Sequence, residues 1–176
     1  TSIWFNATLR GDIENIGAAQ WSLFYSYMLD LLSENEIDVE DTIDIKLHLD
    51  ALEKTSDHLM KNFGKLDIEL GDFQRHIRGD KSLPVSGLID MIAPTYSIGM
   101  KDGKVRAVSG ESYIMLIKYT EDGPEIETVI PYGSSSNPSS PHYTDQMQLY
   151  VDKKTKKMTL DKDSIYKNAA SVYNPN

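Results

Sequence analysis

From Ala18 to Asn35 the apolar residues Trp21, Phe24, Met28, Leu31 and Leu32 return at helical spacing and predict an amphipathic helix with one apolar stripe. A second helix is expected to follow. Asp41 or Thr42 can cap its first backbone N–H groups, Asp44 suits its positive end, and Ile45, Leu49, Leu52, Leu59, Met60 and Phe63 repeat the stripe until Gly64 stops it. The short acidic link from Glu34 to Glu40 makes an antiparallel helix pair the simplest arrangement. Apolar residues at this spacing are ordinary core residues, and neither stripe calls for a cofactor.

After Gly64 the pattern changes. Gly71, Gly79, Pro84, Gly87 and Pro94 punctuate too often for a long helix and predict a loop-rich stretch. Strand patterning then takes over, with Ser112 to Thr120 as one mostly apolar run and Ile126 to Tyr132 as a second, joined by the hairpin turn Glu121-Asp122-Gly123-Pro124. Both strands carry apolar residues on both faces. The run Ser134 to Pro141 cannot continue a ladder and by itself resembles a flexible linker. The dense polar cluster His142-Tyr143-Thr144-Asp145-Gln146 that leads into apolar Met147, Leu149, Tyr150 and Val151 argues instead for an ordered turn within one domain. A short helix from about Asp161 to Ala170, capped by Asp161, is expected to close the chain. The run Lys153-Lys154-Thr155-Lys156-Lys157 reads as a solvated turn between two short elements.

With 40% hydrophobic residues and 9% aromatics in 176 residues, the chain can bury a core and is expected to fold as a soluble globular protein. No apolar run approaches the roughly 20 residues that span a bilayer. The start Thr1-Ser2-Ile3-Trp4-Phe5 lacks the basic head, apolar stretch and cleavage site of a signal peptide, so none is expected. Eighteen basic against 27 acidic side chains give a net charge of -9, the wrong sign for nucleic acid or an anionic membrane surface. Zero cysteines exclude a disulfide framework, a thiolate metal site and a cysteine nucleophile.

Ser140, His142 and Asp145 form the most tempting chemical constellation. Nucleophile, base and orienting acid must meet at hydrogen-bond distance, and Pro141 between serine and histidine tends to throw their side chains apart. The preferred reading is structural: His142, Tyr143, Asp145 and Gln146 satisfy one another and a buried turn backbone. His48 and His58 stand too far apart on the second helix for an i, i+4 metal pair and are expected at the surface. His76, in the loop region between Arg75 and Arg78, is equally unpromising as a metal ligand. Asn6-Ala7-Thr8 is a glycosylation pattern common by chance, and Gly99-Met100-Lys101-Asp102-Gly103 reads as a hairpin turn, not a phosphate loop. Thr1 could act as nucleophile with its own amine as base if it were a processed terminus.

The segment Tyr132-Gly133-Ser134-Ser135-Ser136-Asn137-Pro138-Ser139-Ser140-Pro141-His142-Tyr143-Thr144-Asp145-Gln146 closely resembles one near the carboxyl end of the penicillin acylase family, especially its acyl-homoserine-lactone and aculeacin acylase branch. There the motif is Asn-Pro-x-Ser-Pro-His-Tyr-x-Asp-Gln. Similarity extends upstream through Gly110-Glu111-Ser112-Tyr113-Ile114, Phe63-Gly64-Lys65-Leu66-Asp67, and Arg78-Gly79 to Leu83-Pro84-Val85, covering about Leu52 to Leu160. Ser134 stands where the family usually has glutamine.

This resemblance implies an amidohydrolase precursor cut into two chains, in which the amino-terminal serine of the large chain attacks an amide with its own amine as base. The motifs here match the end of that large chain. The resemblance therefore implies no catalytic residue, metal or cofactor in this chain, and it assigns Gly133, Asn137, Pro138, Ser140, Pro141, His142, Tyr143, Asp145 and Gln146 to a structural motif. Its implied fold is α+β: an antiparallel helix pair and a small antiparallel sheet or hairpin, part of a layered αββα architecture. One domain-like body is expected, helical over about 1–64 and built of loops and strands over about 65–176. The implied partners are the remainder of the precursor and an acyl-amide substrate of the parent, such as an antibiotic or quorum signal. Exposed apolar surface also leaves homo-oligomers open. The implied location is the periplasm or the exterior of a bacterium. A stand-alone binding module using the acidic helix pair is the alternative.

Overall fold

The computed structural model of the chain describes residues 11–39, 44–89 and 91–172. Thr1, the Asn6-Ala7-Thr8 pattern and the expected caps Asp41 and Thr42 lie outside them. The chain divides into two compact units, one up to Glu111 and one from Ser112 onward, and its architecture is α+β with small sheets.

The first unit begins with α1 (Ala18–Glu34) and α2 (Ile45–Phe63). Gln20 closes the start of α1 by accepting from the Gly17 N–H at 2.8 Å, and its amide donates to the Leu66 and Ile68 carbonyls at 2.6 and 3.2 Å. A buried glutamine is therefore fully used. At the other end, Glu36 at φ 56° takes the left-handed position, and Ile37 N–H returns to the Leu32 carbonyl while Glu36 N–H returns to Ser33. That pattern closes a helix with the residue after its left-handed position turned inward, and Ile37 packs on the Met28, Leu31, Leu32 and Ala51 cluster.

Asp44 caps α2, accepting from Lys46 N–H at 2.8 Å, and Gly64 at φ 70° ends it as the sequence predicts. The core pairs Leu59 of α2 with Ala18, Ala19 and Leu23 at the start of α1, and Ala51 with Met28, Leu31 and Leu32 near its end. The helices are thus antiparallel. Their predicted stripes are shifted in phase. Trp21 is 54% and Ile45 75% exposed and Leu49 and Met60 are also exposed, whereas Met28, Leu31, Leu32 and Leu59 are buried as expected and α2 adds Ala51 and Thr55 to the buried strip. One helix covers only a narrow strip of its neighbour, and close approach selects the small Ala51 and Thr55 for it. Thr55 satisfies its hydroxyl by donating to the Ala51 carbonyl at 2.8 Å.

The stretch expected to be loop-rich instead holds a short helix, α3 (Leu70–Phe73), and four strands, β1 (Gln74–Arg78), β2 (Lys81–Pro84), β3 (Thr95–Gly99) and β4 (Val105–Gly110). The sheet order is β2-β1-β4-β3, antiparallel except for the β1–β4 pair. The punctuating residues sit in its turns and at its edge: Gly79 at φ 61° lies in the β1–β2 hairpin, and Pro84 ends the edge strand β2, where a missing N–H is tolerated. Buried Gln74 donates to the Val85 and Gly87 carbonyls at 3.1 and 2.8 Å and accepts from the Ser97 hydroxyl at 3.1 Å. His76 is a buried strand residue, not a loop residue.

The second unit carries β5 (Ile114–Thr120), β6 (Gly123–Val129), α4 (Met147–Val151), β7 (Lys156–Met158) and α5 (Lys162–Asn168). The β5–β6 hairpin closes between Thr120 and Gly123, where the Thr120 hydroxyl donates to the Gly123 carbonyl at 2.7 Å. In the antiparallel sheet β5-β6-β7, Met115, Ile117, Tyr119, Ile126 and Met158 share one face by register. The opposite face mixes Ile114 and Leu116 with the cross-strand pair Lys118–Glu125 at 3.2 Å. Asp161 caps α5 by accepting from Ser164 N–H at 2.8 Å, and hydrogen bonding from the Ser164 side chain and then its backbone holds the carboxyl below the usual carboxylate range. Of the lysine run expected as a turn, Lys153 to Thr155 connect α4 to β7, whereas Lys156 and Lys157 are strand residues paired with Thr128 and Glu127 of β6.

Candidate functional site

The polar segment between β6 and α4 is ordered by its own side chains. Asn137 and Ser140 each open a four-residue turn with proline next in line: Ser140 N–H reaches the Asn137 carbonyl at 3.0 Å, and Tyr143 N–H reaches the Ser140 carbonyl at 3.1 Å. Pro138 and Pro141 occupy the positions where a fixed φ favours such turns. The side chains of the opening residues reinforce them, Asn137 Oδ1 accepting from Ser139 N–H at 3.0 Å and Ser140 Oγ from His142 N–H at 3.1 Å. Asn-Pro-Ser-Ser-Pro-His is thus two successive turns written in sequence.

The far side of the loop folds back on Gly133. A Cβ there would stand 2.3 Å from the His142 carbonyl oxygen and 2.7 Å from Asp145 Oδ1, so only glycine permits this approach. Ser135 N–H donates to the His142 carbonyl at 3.1 Å. Gln146, 2% exposed, clamps the base: its Oε1 accepts from Ile130 N–H at 3.1 Å, its amide donates to Ser134 Oγ at 2.8 Å, and its N–H donates to the Tyr132 carbonyl at 3.1 Å. The Ser134 hydroxyl is thereby engaged by Gln146.

His142 Nδ1 lies 2.9 Å from Asp145 Oδ2. The carboxylate partner matches the sequence expectation, but the expected burial does not: the His142 side chain is 65% exposed, and the buried member of the cluster is Gln146. Ser140 Oγ is taken by a backbone N–H and not by the imidazole. The loop therefore brings serine, histidine and aspartate into one turn without aligning them as nucleophile, base and acid. Among the described residues no group of three His, Cys, Asp or Glu side chains is placed to hold a metal ion.

His58 overturns its expected surface role. Its Nδ1 is 2.9 Å from the Tyr27 hydroxyl of α1 and its Nε2 is 2.7 Å from the Gly103 carbonyl in the β3–β4 turn. His48 stays at the helix surface, stacked on Phe24 with ring centroids 6.5 Å apart. Gln20 and Gln74, absent from the sequence-based candidates, do in the first unit what Gln146 does in the second.

Comparison with known proteins places these features in a family. The penicillin amidase family model matches residues 4–167. Acyl-homoserine lactone acylase PvdQ of Pseudomonas savastanoi pv. phaseolicola is 30% identical over 98 residues, 54% of this chain and 13% of that protein. Aculeacin-A acylase of Actinoplanes utahensis is 30% identical over 90 residues, 48% of this chain and 11% of that protein. The chain thus spans about an eighth of the length of the curated relatives it matches. A thermostable penicillin G acylase from Alcaligenes faecalis aligns in structure with a TM-score of 0.35 and 18% identity, covering 88% of this chain and 28% of that one. With the family model matching nearly its whole length, this chain belongs to the penicillin amidase family.

Proposed function

We propose that the chain is the carboxyl-terminal portion of the large chain of an extracytoplasmic amidohydrolase that cleaves an acyl-amide bond. Its nucleophile, amine base and oxyanion donors then lie in the remainder of the precursor, and the isolated chain is inactive without them. The carrying observation is the loop from Tyr132 to Gln146. Each side chain that could take part in acyl transfer is engaged in holding the turn: Ser140 by His142 N–H, His142 by Asp145, and Gln146 by Ile130 and Ser134. Such a loop is a brace, and the chain's similarity to proteins named acyl-homoserine lactone acylase and aculeacin-A acylase supports a parent acting on an acyl amide of that kind. In this reading the chain's partner is the rest of its own precursor, and no cofactor is required.

The test is to express the whole reading frame that encodes this segment beside the 176-residue chain alone, and to follow amine release from a long-chain acyl-homoserine lactone and an acyl anilide. The longer protein is expected to turn over one or both, and the chain alone neither. Turnover by the chain itself, abolished by Thr1→Ala, would overturn the proposal, as would a frame with nothing upstream of this segment.

A further inference from the structure

The turn between β3 and β4 meets α2 at Gly103, a residue unusually buried for so exposed a segment. Lys101 and Asp102 are exposed, yet Gly103 beside them is buried. It takes φ 79°, and a Cβ on it would meet the Asn62 side chain at 2.3 Å. The Gly103 carbonyl can only accept, so His58 Nε2 carries the proton and donates to it at 2.7 Å. In the neutral ring Nδ1 is then an acceptor, and the Tyr27 hydroxyl donates to it at 2.9 Å. Burial and the charge of Asp30 push the Tyr27 hydroxyl above its ordinary value, which keeps it protonated and able to donate. Within the turn, Met100 N–H donates to the Lys104 carbonyl at 2.7 Å, and Lys104 N–H to Asp102 Oδ1 at 3.2 Å. These bonds hold the turn's shape but not its position.

We propose that residues 100–104 form a strap latched to the helix pair by the His58–Gly103 hydrogen bond, which opens as a unit from the ends of β3 and β4 and, on opening, exposes the His58 imidazole. Closed, the strap leaves neither ring nitrogen available: one is a committed donor and the other accepts from Tyr27. Open, the imidazole faces water with its Nε2 side uncovered. The strap thus controls whether this histidine is chemically accessible, by local opening that leaves the helices and the β1–β2 hairpin in place.

Two readouts on the full chain test this: hydrogen exchange of the Met100–Lys104 amides, and acylation of each histidine by diethyl pyrocarbonate. His58 is expected to acylate far more slowly than exposed His142. His58→Phe, which keeps ring bulk and removes both nitrogens, should speed exchange of the turn amides about tenfold or more, the scale of one lost hydrogen bond. Gly103→Ala forces the strap away from Asn62 with His58 intact, and should raise acylation of His58 by a similar factor. Tyr27→Phe leaves the Gly103 bond and should leave the turn amides protected. The amides of Ala51 to Leu59 report that α2 remains folded, and Gly103→Ala carries the test if His58→Phe does not fold. Unchanged turn exchange in a folded His58→Phe, continued protection of His58 in Gly103→Ala, or release of the turn by Tyr27→Phe as complete as by His58→Phe would each overturn the latch.

Discussion

Gln146→Ala is the most informative single change in the loop between β6 and α4, because it separates a braced loop from a merely polar one. The side chain is almost wholly buried and makes two hydrogen bonds, one to the backbone at the end of β6 and one to Ser134. Alanine forfeits both, leaves Ile130 N–H without its acceptor and empties the space of a methylene and an amide. Hydrogen bonds at about 0.5–1.5 kcal/mol each and a buried methylene at about 0.8 kcal/mol give an expected loss of about 2–4 kcal/mol. Urea unfolding of the second unit, followed through the β5–β6 hairpin amides, measures it. Ser134→Ala removes only the acceptor of one bond and should cost about 1 kcal/mol, and the double variant should recover about that much as coupling energy, since the two side chains share a single bond. Gln146→Glu adds a sign. A carboxylate can still accept from Ile130 N–H, but burial raises its folded-state pKa above the unfolded value, so its stability is greatest in acid and falls as pH rises through the folded value. A Gln146→Ala variant within about 0.5 kcal/mol of the native chain, the range of an ordinary surface change, would refute the clamp.

Three further outcomes follow from single residues. His142→Ala should change stability by less than about 1 kcal/mol, the range of exposed ion pairs, because its ring and Asp145 meet in solvent; a larger loss in thermal unfolding would contradict its exposed position. Glu36→Gly should stabilise the chain by about 0.5–1 kcal/mol, since a non-glycine residue now occupies the left-handed position that closes α1, and thermal melts of the pair decide it. Asp161→Ala should unravel the first turn of α5, read as faster exchange of the Ser164 amide. The native cap should fail in acid by the same measure: its carboxyl is held below the ordinary value, so its contribution is full above the unfolded carboxylate pKa and is lost as pH falls through the folded one.

What the sequence made legible was mostly local. Gly64 and Asp161 marked helix ends through their own backbone and side-chain chemistry, the Asp122-Gly123 turn joined the two strands it was expected to join, and the turn read at Gly99–Gly103 is there although the strands it joins were not expected. The Asn-Pro and Ser-Pro turns were likewise written in adjacent residues. What failed depended on distance along the chain. The phase of α1 and α2 turned on which strip the facing helix reached, and strands of four to six residues in the first sheet are too short for period two to stand out among glycines. His58 read as a surface residue because its partners come from Tyr27, 31 residues away, and Gly103, 45 residues away.

The glutamines show the same limit with more consequence. Gln20, Gln74 and Gln146 read as polar positions, yet each is buried where backbone leaves a regular element: ahead of α3, after β2 and at the end of β6. At such places carbonyls and N–H groups have lost ladder or helix partners and cannot reach water. A primary amide answers both needs at once, with an acceptor and two donors on a neutral, flexible stem, where aspartate or glutamate would bring a charge into the core and serine would fall short. A glutamine in the first turn of a helix or at the first residue of a strand is therefore a candidate clamp, and only the partner's place, found by folding, tells it from a solvated one. Gln146 could be singled out because the motif around it carried the neighbouring turns in sequence; Gln20 and Gln74 had no such company. The braced loop and the two clamps of the first unit thus rest on one chemical device, a buried primary amide that serves backbone donors and acceptors at once.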